Sequence, residues 1–221
     1  MNPEELLKEG LNQIGFSCSE EQKNAFMTFL SELKKWNRAY NLTALKTDED
    51  IIIKHFLDSL LYLKAILNSE LKIADVGTGA GFPGIPIKII QPEMDITFIE
   101  PSRKKSAFLR HIIRTLKLKR VSILEKRIET LGESYEKTYD VIVSRATFKI
   151  KDFLKKACPY VKEHGRLVLS KGPKISEEAK ELKNHGKIED ILRFPLIIKV
   201  DTINFQAERN LLILRCKKNL V

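Results

Sequence analysis

Four glycines fall within eight positions of LKIADVGTGAGFPG, residues 71–84, directly behind an apolar run interrupted by one acid. Leu71 to Val76 is predicted to be a buried parallel strand, with Gly77, Gly79, Gly81 and Gly84 turning it into a helix. Backbone without Cβ turns tightly and lets a ligand come close. The helix that follows is expected to offer unpaired N–H groups to a polar or anionic group. The chemistry such a stretch serves is the holding of a nucleotide-like cofactor.

Two cofactors compete for it. Gly79-Ala-Gly81-Phe-Pro-Gly84 satisfies G-x-G-x-x-G, and Glu100 lies 19 residues past Gly81, which is the spacing of an NAD-dependent dehydrogenase. Gly77 starts the turn two residues earlier, however, giving the acidic-x-G-x-G-x-G order Asp75-Val-Gly77-Thr-Gly79-Ala-Gly81. That order belongs to S-adenosylmethionine enzymes, in which a carboxylate and loop carbonyls face a cationic methionine end. A pyrophosphate disfavours Asp75, and Pro83 and Pro86 remove N–H donors that a phosphate would use. Glu100, ending the second strand, can accept both ribose hydroxyls or cap the helix after Pro101 and Ser102. Ile128 and Glu129, after the third strand, suit the face and edge of an adenine, or form an ordinary loop. The fourth strand ends in Ser144-Arg145-Ala146, where substrate and transferred group should meet.

The elements that must position these residues follow a simple order. Residues 1–68 form a helical extension: Ser19 to Gln22 fits a capping box, Phe26, Phe29, Leu30, Leu33 and Trp36 follow at helical spacing, and Thr47 to Asp50 starts another helix running through Leu67. Trp36 and the phenylalanines are expected in the core. From 69 to 221 strands at 71–76, 95–100, 121–126, 139–145 and 166–171 alternate with helices at 84–91, 102–118 and 150–162. This alternation implies βαβ units and a doubly wound parallel sheet. A helix at 176–184 then precedes two strands, near 187–196 and 210–217, joined by the polar segment DTINFQAERN and paired antiparallel. The fold class is α/β: a Rossmann-like, class I methyltransferase sheet of seven strands, mostly parallel with an antiparallel last strand.

Composition sets the partners. The 221 residues carry a net charge of +10 and a pI near 9.4. Arg103, Lys104, Lys105, Arg110, Arg114, Lys117, Lys119 and Arg120 occupy 103–120 with no acid among them. Such a face suits a polyanion such as RNA, although a solvated helix face has the same appearance. Cys18, Cys158 and Cys216 form no CxxC pair and no even disulfide set, so no metal is expected and a reducing cytoplasm is the simplest setting. No apolar run is long enough for a membrane span, the N-terminus lacks the order of a signal peptide, and nothing points beyond a monomer.

The chain closely resembles the bacterial small-subunit ribosomal RNA methyltransferase G family, also called glucose-inhibited division protein B. The resemblance rests on Trp36-Asn-Arg-Ala-Tyr-Asn-Leu-Thr-Ala44, His55-Phe-Leu-Asp-Ser-Leu60, Asp75 through Pro86, Ser144-Arg-Ala146 and Lys171-Gly172. It implies methyl transfer from S-adenosylmethionine to guanine N7 in 16S rRNA, within or apart from the small subunit. It implies cofactor contacts at Gly77, Phe82, Ile128, Glu129 and Arg145, beside Gly79 and Glu100 from the motif reading. Glu100 stands where some members carry aspartate. Arg145 is the first choice for the reaction centre, holding guanine or a phosphate, with an ion pair to Glu129 or Glu100 as the structural alternative. Candidate RNA contacts are His55, Asp58, Ser59, Lys171, Arg103 and Lys104. Guanine N7 needs no general base. The Asn/Asp-Pro-Pro-aromatic motif of amine methylation is missing, and Cys158-Pro159 reverses the Pro-Cys of C5 chemistry, so Cys158 is expected to be buried packing. An RNA-binding module with a vestigial pocket is the third class.

Overall fold

The computed structural model describes residues 2–66, 70–145, 149–171, 179, 182 and 188–216. Ala146 and Gly172, two of the matching motif positions, and the boundary at 68/69 lie outside these residues, as does most of the helix expected at 176–184.

Seven strands form one sheet in the order β3-β2-β1-β4-β5-β7-β6. They are β1 (Lys72–Val76), β2 (Asp95–Ile99), β3 (Val121–Leu124), β4 (Tyr139–Arg145), β5 (Val161–Lys171), β6 (Ile188–Val200) and β7 (Ile203–Leu214). The first five run parallel, and β7 is antiparallel to both β5 and β6. β1 lies inside the sheet between β2 and β4, and four of its five residues are buried, as an apolar strand covered on both faces requires. Chain order reverses between β1 and β4, so a crevice opens at their carboxyl ends.

The hairpin departs from the sequence reading. The turn is only Asp201 and Thr202, and most of DTINFQAERN is strand. Ile203, Phe205, Ala207 and Arg209 are half-buried while Asn204, Gln206 and Glu208 are exposed, a two-residue period that the polar composition concealed. The half-buried side packs on the N-terminal helices, with Lys54 Nζ 5.8 Å from the Phe205 ring centroid.

Helices α1 (Pro3–Gln13), α2 (Glu20–Tyr40), α5 (Gly84–Ile90) and α6 (Arg103–Thr115) join one core with the sheet, and α7 (Ile150–Ala157) covers the other core. The Ser19/Gln22 capping box forms, and Gln22 Nε2 also donates to the Ile89 and Ile90 carbonyls at the end of α5. Trp36 packs against Phe108 of α6, as core packing demands. The segment after Thr47 is not one regular helix: α3 (Asp48–Ile51) passes into a π turn (Ile52–Leu57), then α4 (Asp58–Leu60) and a 3-10 turn (Leu61–Lys64). The cysteine reading is corrected too. Cys158 and Cys216 are joined in a disulfide that ties the end of α7 to the chain after β7; they lie 58 residues apart, and only the fold brings their Cα atoms to 5.5 Å.

Candidate active site

The glycine loop turns because Gly77, Gly79 and Gly81 take φ of +66°, +63° and +94°, a region L side chains rarely enter. Asp75 holds it from below. The side chain is fully buried, and Oδ2 accepts from Thr78 Oγ1 at 2.7 Å and from the Gly84 N–H at 2.8 Å, while Oδ1 has no hydrogen-bond partner. Burial pushes its pKa up to about 7, with those two bonds opposing the rise. Asp75 is thus a brace inside the loop, where the sequence reading had it open to the ligand.

A second correction concerns the start of α5. Gly84 gives its N–H to Asp75, Ile85 to the Gly81 carbonyl at 2.7 Å and Ile87 to the Pro83 carbonyl at 3.3 Å, and Pro86 has none. The helix start therefore offers no anion site of the kind a dinucleotide pyrophosphate uses. The loop crest remains open: a Cβ placed on Gly79 would meet nothing within 4 Å. Glu100, at the end of β2, is buried beside it, with Oε2 accepting from the Gly79 N–H and Oε1 from the Ser102 N–H, both at 2.9 Å. Of its two expected roles, the contact with Ser102 shows the one at the start of α6.

A cleft of about 110 Å³ opens over the loop between Gly77, Gly79, Phe82, Thr43, His55 and Arg145. A larger hollow of about 410 Å³ lies along α2 beside Lys35 and Arg38, but it contains no residue of the loop and is not the site. Arg145, ending β4, reaches across: NH1 donates to the Lys54 carbonyl at 3.3 Å, NH2 to His55 Nδ1 at 3.0 Å, and Asp58 Oδ2 lies 3.8 Å away. Its guanidinium carbon stands 5.1 Å from the Phe82 ring centroid. Among the described residues its ion partner is Asp58, in place of the expected Glu100 or Glu129. Glu129 pairs with Lys156 at 3.0 Å.

The donor set fits a sulfonium cofactor. The loop crest is open, a carboxylate ends β2, and the α5 N-terminus has no N–H left for phosphate. The family is decided by comparison. The profile of rRNA small subunit methyltransferase G matches residues 22–199. The Ribosomal RNA small subunit methyltransferase G of Acetivibrio thermocellus is 40% identical over 198 residues, covering 86% of this chain and 81% of that protein. The Clostridium tetani protein of the same name is 36% identical over 223 residues, covering 97% and 91%.

The chain belongs to the rRNA small subunit methyltransferase G family.

Solved structures agree on the fold. The precorrin-6y C5,15-methyltransferase of Geobacter metallireducens superposes with a TM-score of 0.54 at 16% identity, over 81% of this chain and 92% of that one. The structure of M. jannaschii TYW2 in complex with AdoMet gives 0.54 at 18%, over 72% and 76%.

Not every family position predicted for the site lies in the cleft. Ile128 is buried in the second core and Glu129 is exposed, both in a short 3-10 turn beyond β3. Ser59, expected as an RNA contact, is fully buried with its hydroxyl donating to the His55 carbonyl. Asp58 is likewise buried, held between Arg145 and Arg209. Neither can reach an RNA surface. Arg103 and Lys104 are exposed at the start of α6, and Lys171 is half-buried at the end of β5. The sequence reading missed Thr43 and Arg209. Thr43 lay inside the quoted Trp36–Ala44 motif; Arg209 sat in the segment taken for a linker. Among the described residues no group of three or more His, Cys, Asp or Glu is arranged to hold a metal, and no helix is long and apolar enough to cross a membrane.

Proposed function

We propose that this chain transfers a methyl group from S-adenosylmethionine to N7 of a guanine in 16S ribosomal RNA, as a cytoplasmic monomer. Family membership supports the substrate. The observation that carries the cofactor is the α5 N-terminus: its N–H groups are used within the loop while the crest above stays open. The relatives' own name supports an rRNA of the small subunit as acceptor.

When bound, the cofactor supplies an electrophilic methyl on a cationic sulfur. Guanine N7 presents an in-plane lone pair and no proton, so nothing need be deprotonated and alignment supplies the rate. The residues agree. Because the Arg145 guanidinium has only donors, His55 Nδ1 accepts from it, so His55 carries its proton on Nε2 and donates to Thr43 Oγ1, 2.7 Å away. Both ring nitrogens are engaged, so the imidazole is not poised as a general base. Arg145 holds the purine at its O6 edge, and Glu100 accepts the ribose hydroxyls while keeping the loop in place. Ile128 and Glu129, outside the cleft, are assigned to the adenine end on the family resemblance alone.

The test is methyl incorporation into small-subunit RNA from cells lacking the activity, with the modified nucleotide mapped by primer extension. Calorimetry with S-adenosylhomocysteine and separately with NADH runs beside it. Heat with the homocysteine, and a primer-extension stop that appears only after borohydride reduction and aniline cleavage at N7-methylguanine, support the reading. Heat with NADH alone would restore the dehydrogenase. Salt-dependent RNA binding that survives Gly77→Asp, without methyl transfer by the unaltered chain, would leave an RNA-binding module.

A further inference from the structure

The helix from Asp48 to Lys64 changes geometry where it faces the cleft. Ile52–Leu57 forms a π turn flanked by α-helical residues on both sides. Such turns re-aim a side chain out of helical register and concentrate at functional sites. Here three groups from one short segment converge on one guanidinium: the Lys54 carbonyl, His55 Nδ1 and the Asp58 carboxylate, at 3.3, 3.0 and 3.8 Å from Arg145 nitrogens.

The three do different work. Asp58 is shared with Arg209 Nε and, at 3.8 Å, is too far from Arg145 for a hydrogen bond. It supplies charge without direction. The Lys54 contact is long. His55 supplies direction, and it is itself held on three sides. Its ring stacks on Phe82 with centroids 4.3 Å apart and planes 22° from parallel, and Nε2 meets Thr43 Oγ1, which also accepts the Leu45 N–H at 3.2 Å. Burial first, and the Arg145 charge second, depress its pKa to about 3, so the ring stays uncharged beside the guanidinium.

We propose that His55 is a positioning residue for the methyl transfer: by accepting from Arg145 while stacked on Phe82, it fixes the guanidinium over that ring so that an incoming purine meets an aligned donor. The role rests on the methyltransferase reading above. It is a matter of orientation, since an arginine side chain otherwise samples many rotamers and small misplacements near reacting atoms cost rate.

Two substitutions in the full chain separate orientation from structure. His55→Phe keeps a ring for the Phe82 stack and loses the acceptor; His55→Asn loses the ring and keeps an acceptor near the place of Nδ1. Single-turnover methyl transfer to small-subunit RNA should fall about 10- to 100-fold in His55→Phe. The S-adenosylhomocysteine affinity and the KM for RNA should stay within about threefold of the parent in that variant, a split expected of transition-state alignment alone. His55→Asn should recover most of the loss. Unchanged turnover in His55→Phe, or an Asn variant no faster than the Phe one, overturns the proposal. A folding defect in His55→Phe does not shelter it, because nitrogen-15 spectra of the unaltered chain must show a neutral Nε2–H imidazole at pH 6 that vanishes in His55→Asn. An imidazolium or an Nδ1–H tautomer overturns it. If the unaltered chain transfers no methyl to RNA, the proposed function fails and this role fails with it; full transfer in both variants removes His55 alone.

Discussion

The Gly79 N–H donates to Glu100 Oε2 at 2.9 Å, so the carboxylate that ends β2 holds the crest of the loop that follows β1. Two neighbouring parallel strands are thereby linked at their carboxyl ends, where the cofactor is proposed to lie. Glu100→Ala removes a charged acceptor from two part-buried N–H groups, a loss of about 1.5–3 kcal/mol per such bond. The expected outcome is at least about tenfold weaker S-adenosylhomocysteine binding by calorimetry, with the circular dichroism spectrum preserved. Equal affinity would remove Glu100 from the site.

Arg145→Ala should lower methyl transfer by at least about 100-fold while leaving a folded protein, because a preorganised donor at the reacting edge is lost. Asp58 keeps Arg209 as its partner in that variant, so no buried charge is stranded. Arg145→Lys should fail to restore the rate, since an ammonium lacks the planar fork. Steady-state kinetics on small-subunit RNA reads both.

Stability should bend with pH in two opposed ways. Asp75 titrates near 7 in the folded chain, against an ordinary value of 3.8, so between these the folded state binds more protons than the unfolded one and stability falls as pH rises. His55, depressed from 6.5 to about 3, does the reverse: the unfolded state binds more protons in that window, so stability rises with pH across it. Urea titrations at several pH values should show the first slope reduced in Asp75→Asn and the second reduced in His55→Asn. Parallel curves for a variant and the parent would refute the corresponding assignment.

RNA affinity should respond to the α6 face and cofactor affinity should not. Arg103 and Lys104 are exposed, and among the described residues Arg103 meets Glu125 at 3.5 Å. Arg103→Glu combined with Lys104→Glu should weaken RNA binding and lower the salt slope by about 1 to 2, with homocysteine binding unaltered. Filter binding across a salt series decides it.

Gly84→Ala tests the brace under the loop. Its Cβ would stand 2.4 Å from Phe98 Cε1 and 2.8 Å from Asp75 Oδ2, neither of which has room to yield. A destabilisation of about 1–3 kcal/mol is expected from such overpacking, visible as a lower Tm. An unchanged Tm would show that the strand and loop relax freely.

Much of this was legible in one dimension because it is local. The glycine loop, the Ser19/Gln22 capping box and the strands β1 to β4 are set by residue type and period within short windows, and each formed within a few residues of its expected place. The reading failed along β7, where polar residues alternated with half-buried ones, in the irregular helix after Thr47, and at β5, which begins at Val161 inside the helix expected at 150–162.

What tertiary structure alone decided are the meetings of distant residues. Arg145 lies 90 residues from His55, Arg209 lies 151 from Asp58, and Cys158 lies 58 from Cys216. No sequence window carries those pairings, because they depend on how the sheet order folds the N-terminal helices and the β6–β7 hairpin over the carboxyl ends of the strands. Residue chemistry specified the parts and their local turns; burial of the shared core specified which charges face each other, since a buried Asp58 is tolerable only where two arginines reach it.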